Sequence, residues 1–265
     1  MPLRRLLPLI FALIALSGCG SSKVESGRGA LYYAEDAKKA YEKAMVAFKD
    51  HDWEKATAGF KEVKKKYAYS RWARLAELRI ADISSRSEKL AEAVQGYRSF
   101  VHDHRTDPEV PYARYRICKT LFDQVGEPFL LPPLEERDQA MTVDAYRELK
   151  SYVAEYPTGR YAAEIDYMLA IVTGRLVRHE LYVARFYLKK DAFEAAAARV
   201  RYALKAYEGS GLEPEAMVLL GETYLKMHKA KEARATFAEL LGKYPASAYG
   251  QTAQNFLMEM DRQGK

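Results

Sequence analysis

The sequence predicts an all-α fold, a right-handed superhelix of five helix pairs with a C-terminal capping helix, and three observations predict it. Among 265 residues there are only 15 Gly and 10 Pro, while 49% are apolar, and alanine stands repeatedly between long charged side chains, a composition that favours helix throughout. An alanine recurs at Ala56, Ala93, Ala145, Ala196 and Ala233, and four residues after each comes a larger apolar side chain, Phe60, Tyr97, Leu149, Val200 and Phe237. Positions i and i+4 share one helix face, so each alanine lets a neighbouring helix approach while its large partner fills the space beside it. Eleven residues after each alanine stand Tyr67, His104, Tyr156, Tyr207 and Tyr244. Five copies in register define a repeat, and stacked repeats wind into a superhelix.

The last copy carries Leu220, Gly221, Tyr224, Ala233, Phe237 and Pro245 at the spacing of a tetratricopeptide unit. The five helix pairs are therefore expected to be tetratricopeptide-like. Repeats one and two, over about 31–105, form the N-terminal part of a domain spanning 31–262, and the remainder, about 110–262, the C-terminal part. The alanines are separated by 37, 52, 51 and 37 residues, and the two long intervals have different causes. Gly126-Glu127-Pro128-Phe129-Leu130-Leu131-Pro132-Pro133-Leu134 cannot continue a helix and reads as a loop between the two helices of repeat three. Its apolar residues either fold back onto the body or meet a partner. From about Ala162 to Lys190 no proline interrupts the pattern, so repeat four is expected to carry a helical pair lengthened by about four turns. The segment from about Ala248 to Arg262 reads as the polar-faced helix that caps such arrays.

At the other end, Arg4 and Arg5 precede an apolar run from Leu6 to Leu16, which is followed by Leu16-Ser17-Gly18-Cys19. This is the layout of a secretory signal, too short to span a bilayer. It resembles the lipobox of bacterial lipoprotein precursors. That resemblance implies a cleaved signal peptide over 1–18, and a diacylglycerol thioether and N-acyl chain (palmitate) on Cys19. Gly20, where an aspartate marks inner-membrane retention, implies sorting to the outer membrane, with the body lipid-anchored on the periplasmic face. Residues 19–30, with Ser21, Ser22, Gly27 and Gly29, read as a flexible tether.

The 42 basic and 36 acidic residues give a formal charge of +6, which falls to +4 without the signal. That balance suits an acidic partner surface or anionic headgroups, and a secretory signal argues against nucleic acid. With Cys19 lipidated, Cys118 has no disulfide partner and reads as a small core residue. No catalytic constellation is present. There is no Gly-x-Ser-x-Gly elbow and no phosphate-cradling loop, and Val183 stands where a zincin helix after His179-Glu180 needs its second histidine. His102, His104, Asp103 and Asp107 lack the fixed ligand set of a closed metal site. The expectation is no enzyme, no metal and no cofactor besides the covalent lipid.

The lipobox, the five repeats and several local segments together resemble the BamD (ComL) family of outer-membrane protein assembly lipoproteins. The segments are Asp107-Pro108-Glu109-Val110-Pro111-Tyr112-Ala113-Arg114-Tyr115, Arg137-Asp138, Tyr156-Pro157-Thr158-Gly159-Arg160-Tyr161, and His179-Glu180-Leu181-Tyr182-Val183-Ala184-Arg185-Phe186-Tyr187. Tyr67-Ala68-Tyr69-Ser70 and His104-Arg105-Thr106-Asp107-Pro108 depart from the usual Tyr-Pro turn. The resemblance implies a non-enzymatic scaffold of the β-barrel assembly machinery. Such scaffolds bind the POTRA domains of the insertase BamA through C-terminal repeats, act beside other assembly lipoproteins, and receive unfolded outer-membrane proteins on N-terminal repeats. It places Arg199, with Arg185, at the insertase contact. From Arg175 to Lys205 eight basic residues face three acids, a balance that attracts an acidic domain. Tyr67, Tyr69, Trp72, Tyr112 and Tyr115 are the candidates for precursor binding; aromatic residues of such repeats also fill the core between helices. Lys61, Lys64, Lys65 and Lys66 form a further basic cluster, the usual sign of a solvated face. The same fold and lipid would equally suit an adaptor for another envelope complex, serving cell-wall or polysaccharide machinery.

Overall fold

The computed structural model describes residues 23–126 and 133–264. The signal, the lipobox with Cys19, and Phe129-Leu130-Leu131 therefore lie outside the described residues. Eleven α-helices run in chain order: α1 (Lys23–Lys49), α2 (Trp53–Lys66), α3 (Arg71–Arg86), α4 (Leu90–Asp103), α5 (Val110–Gln124), α6 (Ala140–Glu155), α7 (Ala162–Leu188), α8 (Phe193–Ala206), α9 (Glu213–Lys226), α10 (Ala230–Lys243) and α11 (Ala248–Arg262). The described residues are all-α, as expected, with α1–α2, α3–α4, α5–α6, α7–α8 and α9–α10 as the five pairs and α11 after them. The chain divides into two compact units, Met1–Ala73 and Arg74–Lys265. That division falls inside α3. Helix α1 starts at Lys23, so residues 23–30 of the expected tether are helical.

The repeat register is visible in the packing. All five repeat alanines and the large residues four positions later are 0% exposed, because each pair forms the buried stripe of a second helix. The aligned aromatic residues end those same helices. Tyr67, His104, Tyr156, Tyr207 and Tyr244 are the C-cap residues of α2, α4, α6, α8 and α10, and each donates its backbone N–H to the carbonyl four residues earlier. A fourth element of the repeat lies five residues before the alanine. His51, Glu88, Asp191 and His228 adopt φ of 55–60°, and they turn the chain from first to second helix in four of the five pairs. Repeat three lacks this turn because its insertion stands there.

In the first compact unit Gly59 packs against Ala44, so closely that an added Cβ would lie 2.8 Å from the Ala44 Cβ. Tyr41 tilts against both Phe60 and Trp72, at 5.4 and 5.2 Å between ring centroids. In the second unit one continuous core runs through α3 to α9, with Tyr97, Leu149, Tyr152, Ile165, Met168 and Leu181 among its buried members. A smaller cluster around Phe237 joins α9, α10 and α11, where Phe256 stacks on Phe237 at 4.8 Å. Ser247 caps the start of α11, its hydroxyl accepting the Gly250 N–H at 3.1 Å.

The lengthening of repeat four lies wholly in its first helix. Helix α7 has 27 residues and its partner α8 has 14. Part of the insertion occupies the extra surface this creates. A 3-10 helix, Leu134–Glu136, packs against α7, and the Glu135 carbonyl meets Nδ1 of His179 at 2.7 Å. Arg175 donates to the Val125 carbonyl at 2.6 Å, and Tyr182 bonds Glu136. The two departures from a regular array thus belong together: the long helix supplies the seat for both ends of the loop.

Candidate functional site

Helix α7 carries the most distinctive surface of the second unit. Buried on one side through Leu176, Glu180, Leu181 and Ala184, it exposes Arg178, Tyr182, Arg185 and Phe186 along the other, the i, i+3, i+4 spacing of a single stripe. Phe186 is 52% exposed. Neighbouring helices add polar groups to this stripe. Arg185 donates to Oε1 of Glu215 on α9 at 2.5 Å, and Tyr249 on α11 also bonds Glu215. Burial raises the carboxyl of Glu222 above its ordinary range, with Arg185 and Lys226 pulling the other way. The result is a surface of two exposed aromatic residues around an arginine already oriented by a carboxylate. Aromatic and arginine side chains of this kind, held in place, are the usual anchors of protein–protein contacts.

Arg199 lies differently. Its Nη1 stands 3.3 Å from Oε2 of Glu180, which is 7% exposed, so the guanidinium ties α8 to α7 across their packed seam. Its remaining surface is open to solvent. Arg185 and Arg199 are both on this part of the molecule; Arg185 engages α9 and Arg199 engages α7.

The aromatic candidates separate by environment. In the first unit Tyr67 is buried at 7%, edge-on to Tyr33 at 5.4 Å, and Trp72 packs on Tyr41. Tyr69 is 95% exposed. In the second unit Tyr112 and Tyr115 both meet Tyr161, Tyr115 in a parallel stack at 4.1 Å. The hydroxyl of Tyr115 donates to Glu164 at 2.9 Å; burial and that carboxylate push its phenol up to about 12.

Tyr112 belongs to a network the sequence does not announce. Asp82, 1% exposed, accepts hydrogen bonds from the Tyr97 and Tyr112 hydroxyls at 2.6 and 2.7 Å, and its other oxygen lies 2.7 Å from Arg79. Arg116 covers the Tyr97 ring and donates to Ser85 at 3.0 Å. Burial, then the Asp82 charge, raises both tyrosines well above the ordinary phenol range. An aspartate on the apolar face of α3, between Ala81 and Ile83, was the available signal; its partners come from two other helices and no spacing reveals them. The turn at Asp107 is built on a similar device. Its carboxylate accepts from Arg74 at 2.6 Å and from the Glu109 N–H at 2.9 Å, which opens α5 without a Tyr-Pro turn.

A family model described as "YfiO: Outer membrane lipoprotein" matches residues 33–236. The chain belongs to this family. Among curated relatives, the outer membrane protein assembly factor BamD of Caulobacter vibrioides is 27% identical over 75% of this chain and 63% of its own length, so the match spans less than two thirds of that relative. The factor of the same name from Xylella fastidiosa strain 9a5c is 26% identical, covering 84% of this chain and 76% of its own. That of Neisseria gonorrhoeae is 23% identical over 93% and 94%. Among solved structures, a tetratricopeptide repeat protein from Parabacteroides merdae is similar at 13% identity, with a TM-score of 0.38, over 86% of this chain and 89% of that one. Among the described residues, no helix is long and apolar enough to cross a membrane.

Proposed function

We propose that this protein is a lipid-anchored scaffold of the β-barrel assembly machinery on the periplasmic face of the outer membrane, with no catalytic activity of its own. The observation that carries this reading is the family match over residues 33–236, joined to relatives that bear the name of outer membrane protein assembly factor. The acyl groups on Cys19 would hold the body at the membrane, since two or more chains anchor stably where one is marginal. The insertase POTRA domain would dock on the second unit against Tyr182, Arg185 and Phe186, with Arg199 beside them. The basic balance of 175–205 supports an acidic partner there. Other assembly lipoproteins would join the same complex. Unfolded outer-membrane proteins would be received by exposed aromatic surface. Tyr69 offers this on the first unit, beside the buried Tyr67 and the half-buried Trp72, and the half-buried Tyr112 and Tyr115 present part of their rings on the second, since ring faces suit a segment itself rich in aromatic side chains.

Depletion of the protein in its own cell tests this reading. Loss of folded β-barrel proteins from the outer membrane, with unfolded precursors accumulating, is the expected result. Normal barrel levels with a defect confined to cell wall or polysaccharide would move the protein to another envelope complex.

A further inference from the structure

Two clefts in the second compact unit occupy the same place in different repeats, and their charges differ. The first, about 360 Å³, lies between α4, α5 and α6, over an apolar floor of Val101, Val110 and Ile117. The second, about 300 Å³, lies between α8, α9 and α10 over Leu204, Met217 and Leu220. The correspondence is positional: Arg98 and Arg201 each stand five residues after a repeat alanine, and Arg105 and Glu208 each stand twelve after it.

In the first cleft Arg98 pairs with Glu148 at 3.0 Å, and Arg114 pairs with Glu155 while donating to Ser151 at 2.9 Å. Those two pairs neutralise each other. Arg105, exposed at the mouth, is left over, so three guanidiniums face two carboxylates around an apolar floor. In the second cleft the basic Arg201, Lys205 and Lys243 are balanced by Glu208, Glu213 and Glu239, and Lys243 is already paired with Glu239 at 2.7 Å. Its net charge is zero.

We infer that the α4–α5–α6 cleft is a docking site for a short acidic-apolar segment of a partner protein, which seats one apolar side chain on Val101, Val110 and Ile117 and sets one carboxylate against Arg105. The charge excess matches one carboxylate, and the ion pairs of Arg98 and Arg114 are complete without the ligand. A phospholipid would bring a phosphate to Arg105 and acyl chains to the floor, and the short-chain lipid in the test below separates it from the peptide. The site is independent of the α7 surface and does not rest on the assembly reading.

The second cleft is a control within the same molecule. In methyl-resolved NMR of the purified full-length protein, the probe is the peptide acetyl-Gly-Ser-Leu-Glu-Ser-Gly-amide. The Val110 and Ile117 methyls are expected to shift saturably while those of Leu204 and Leu220 stay put. Arg105→Glu, on an exposed side chain, should weaken binding about fivefold or more, equivalent to about 1 kcal/mol, as should glutamine in place of the peptide's glutamate. Glu208→Arg should make Leu204 and Leu220 respond. The inference is overturned if Val110 and Ile117 do not respond, if both clefts of the unaltered protein respond alike, if Arg105→Glu leaves affinity unchanged, or if dihexanoylphosphatidylglycerol binds there and the peptide does not.

Discussion

Arg199 places Nη1 3.3 Å from Oε2 of Glu180, and this pair joins the two helices of repeat four at a point where the carboxylate is buried and the guanidinium is half in solvent. Arg199 is proposed above to meet a partner and is seen here to neutralise a buried glutamate, so a substitution there reads on the fold as well as on any contact. Arg199→Glu would set two carboxylates against each other, one without access to water. We expect it to destabilise the fold by about 3 kcal/mol, near the lower end for breaking a buried pair because half the arginine is solvated. Urea denaturation of Arg199→Glu and of Arg199→Glu with Glu180→Gln checks this: the second change should restore most of the loss.

Arg185 is the cleaner probe of partner contact. It is bound to Glu215 at the surface, where an ion pair contributes at most about 1 kcal/mol. Arg185→Ala and Phe186→Ala are expected to leave the urea midpoint nearly unchanged and to lower recovery of the insertase together. Loss of midpoint with full recovery would assign both residues to folding alone.

Gly221 faces the Phe237 ring with no room for a Cβ, and Phe237 is locked between Gly221 and the stacked Phe256. Gly221→Ala should therefore cost about 1–3 kcal/mol by overpacking, despite the higher helix propensity of alanine. Thermal unfolding reads the sign directly, and a rise in Tm would show that the ring moves freely.

Asp191 and His228 sit at φ of 55° and 57°, where a branched Cβ collides with the backbone. Asp191→Val and His228→Val should each destabilise by about 1–2 kcal/mol. Val at Ala140, the matching sequence position in repeat three, meets no such turn and should cost less. Equal losses at all three would mean the left-handed turn is not the cause.

Cys118 is buried among apolar groups, and burial, then the Glu148 charge, pushes its thiol up to about 12. A thiol whose folded pKa lies above its unfolded value stabilises the fold fully below the unfolded pKa, and that contribution disappears as pH rises towards 12. Iodoacetamide should thus leave the native protein unlabelled at pH 8 and label it after unfolding. Stability measured from pH 8 upward should fall across the interval from about 9 to about 12, and Cys118→Ala should flatten that part of the profile.

The repeat was legible because it is local. Ala233 and Phe237 are four residues apart on one helix, and the same spacing five times over gives register, helix boundaries and even the cap, since Ala248 to Arg262 is the span of α11. Asp82 was not legible, because its meaning comes from Tyr97 and Tyr112 on other helices. The same holds for Arg199, whose pairing with Glu180 joins two helices and shows in no spacing. The lengthening of repeat four could be counted from the sequence, but not its assignment to α7 alone; that follows from the 3-10 helix at Leu134–Glu136, which needs the extra surface.

As proposed above, this family member works within the β-barrel assembly machinery. Affinity purification of the lipidated protein from mild-detergent extracts of its own outer membrane, with stoichiometric partners identified by mass spectrometry, tests it most directly. Co-purification of a barrel insertase bearing POTRA domains is the result we predict. Its absence, with cell-wall or polysaccharide proteins recovered in its place, would contradict the account while leaving the fold as described.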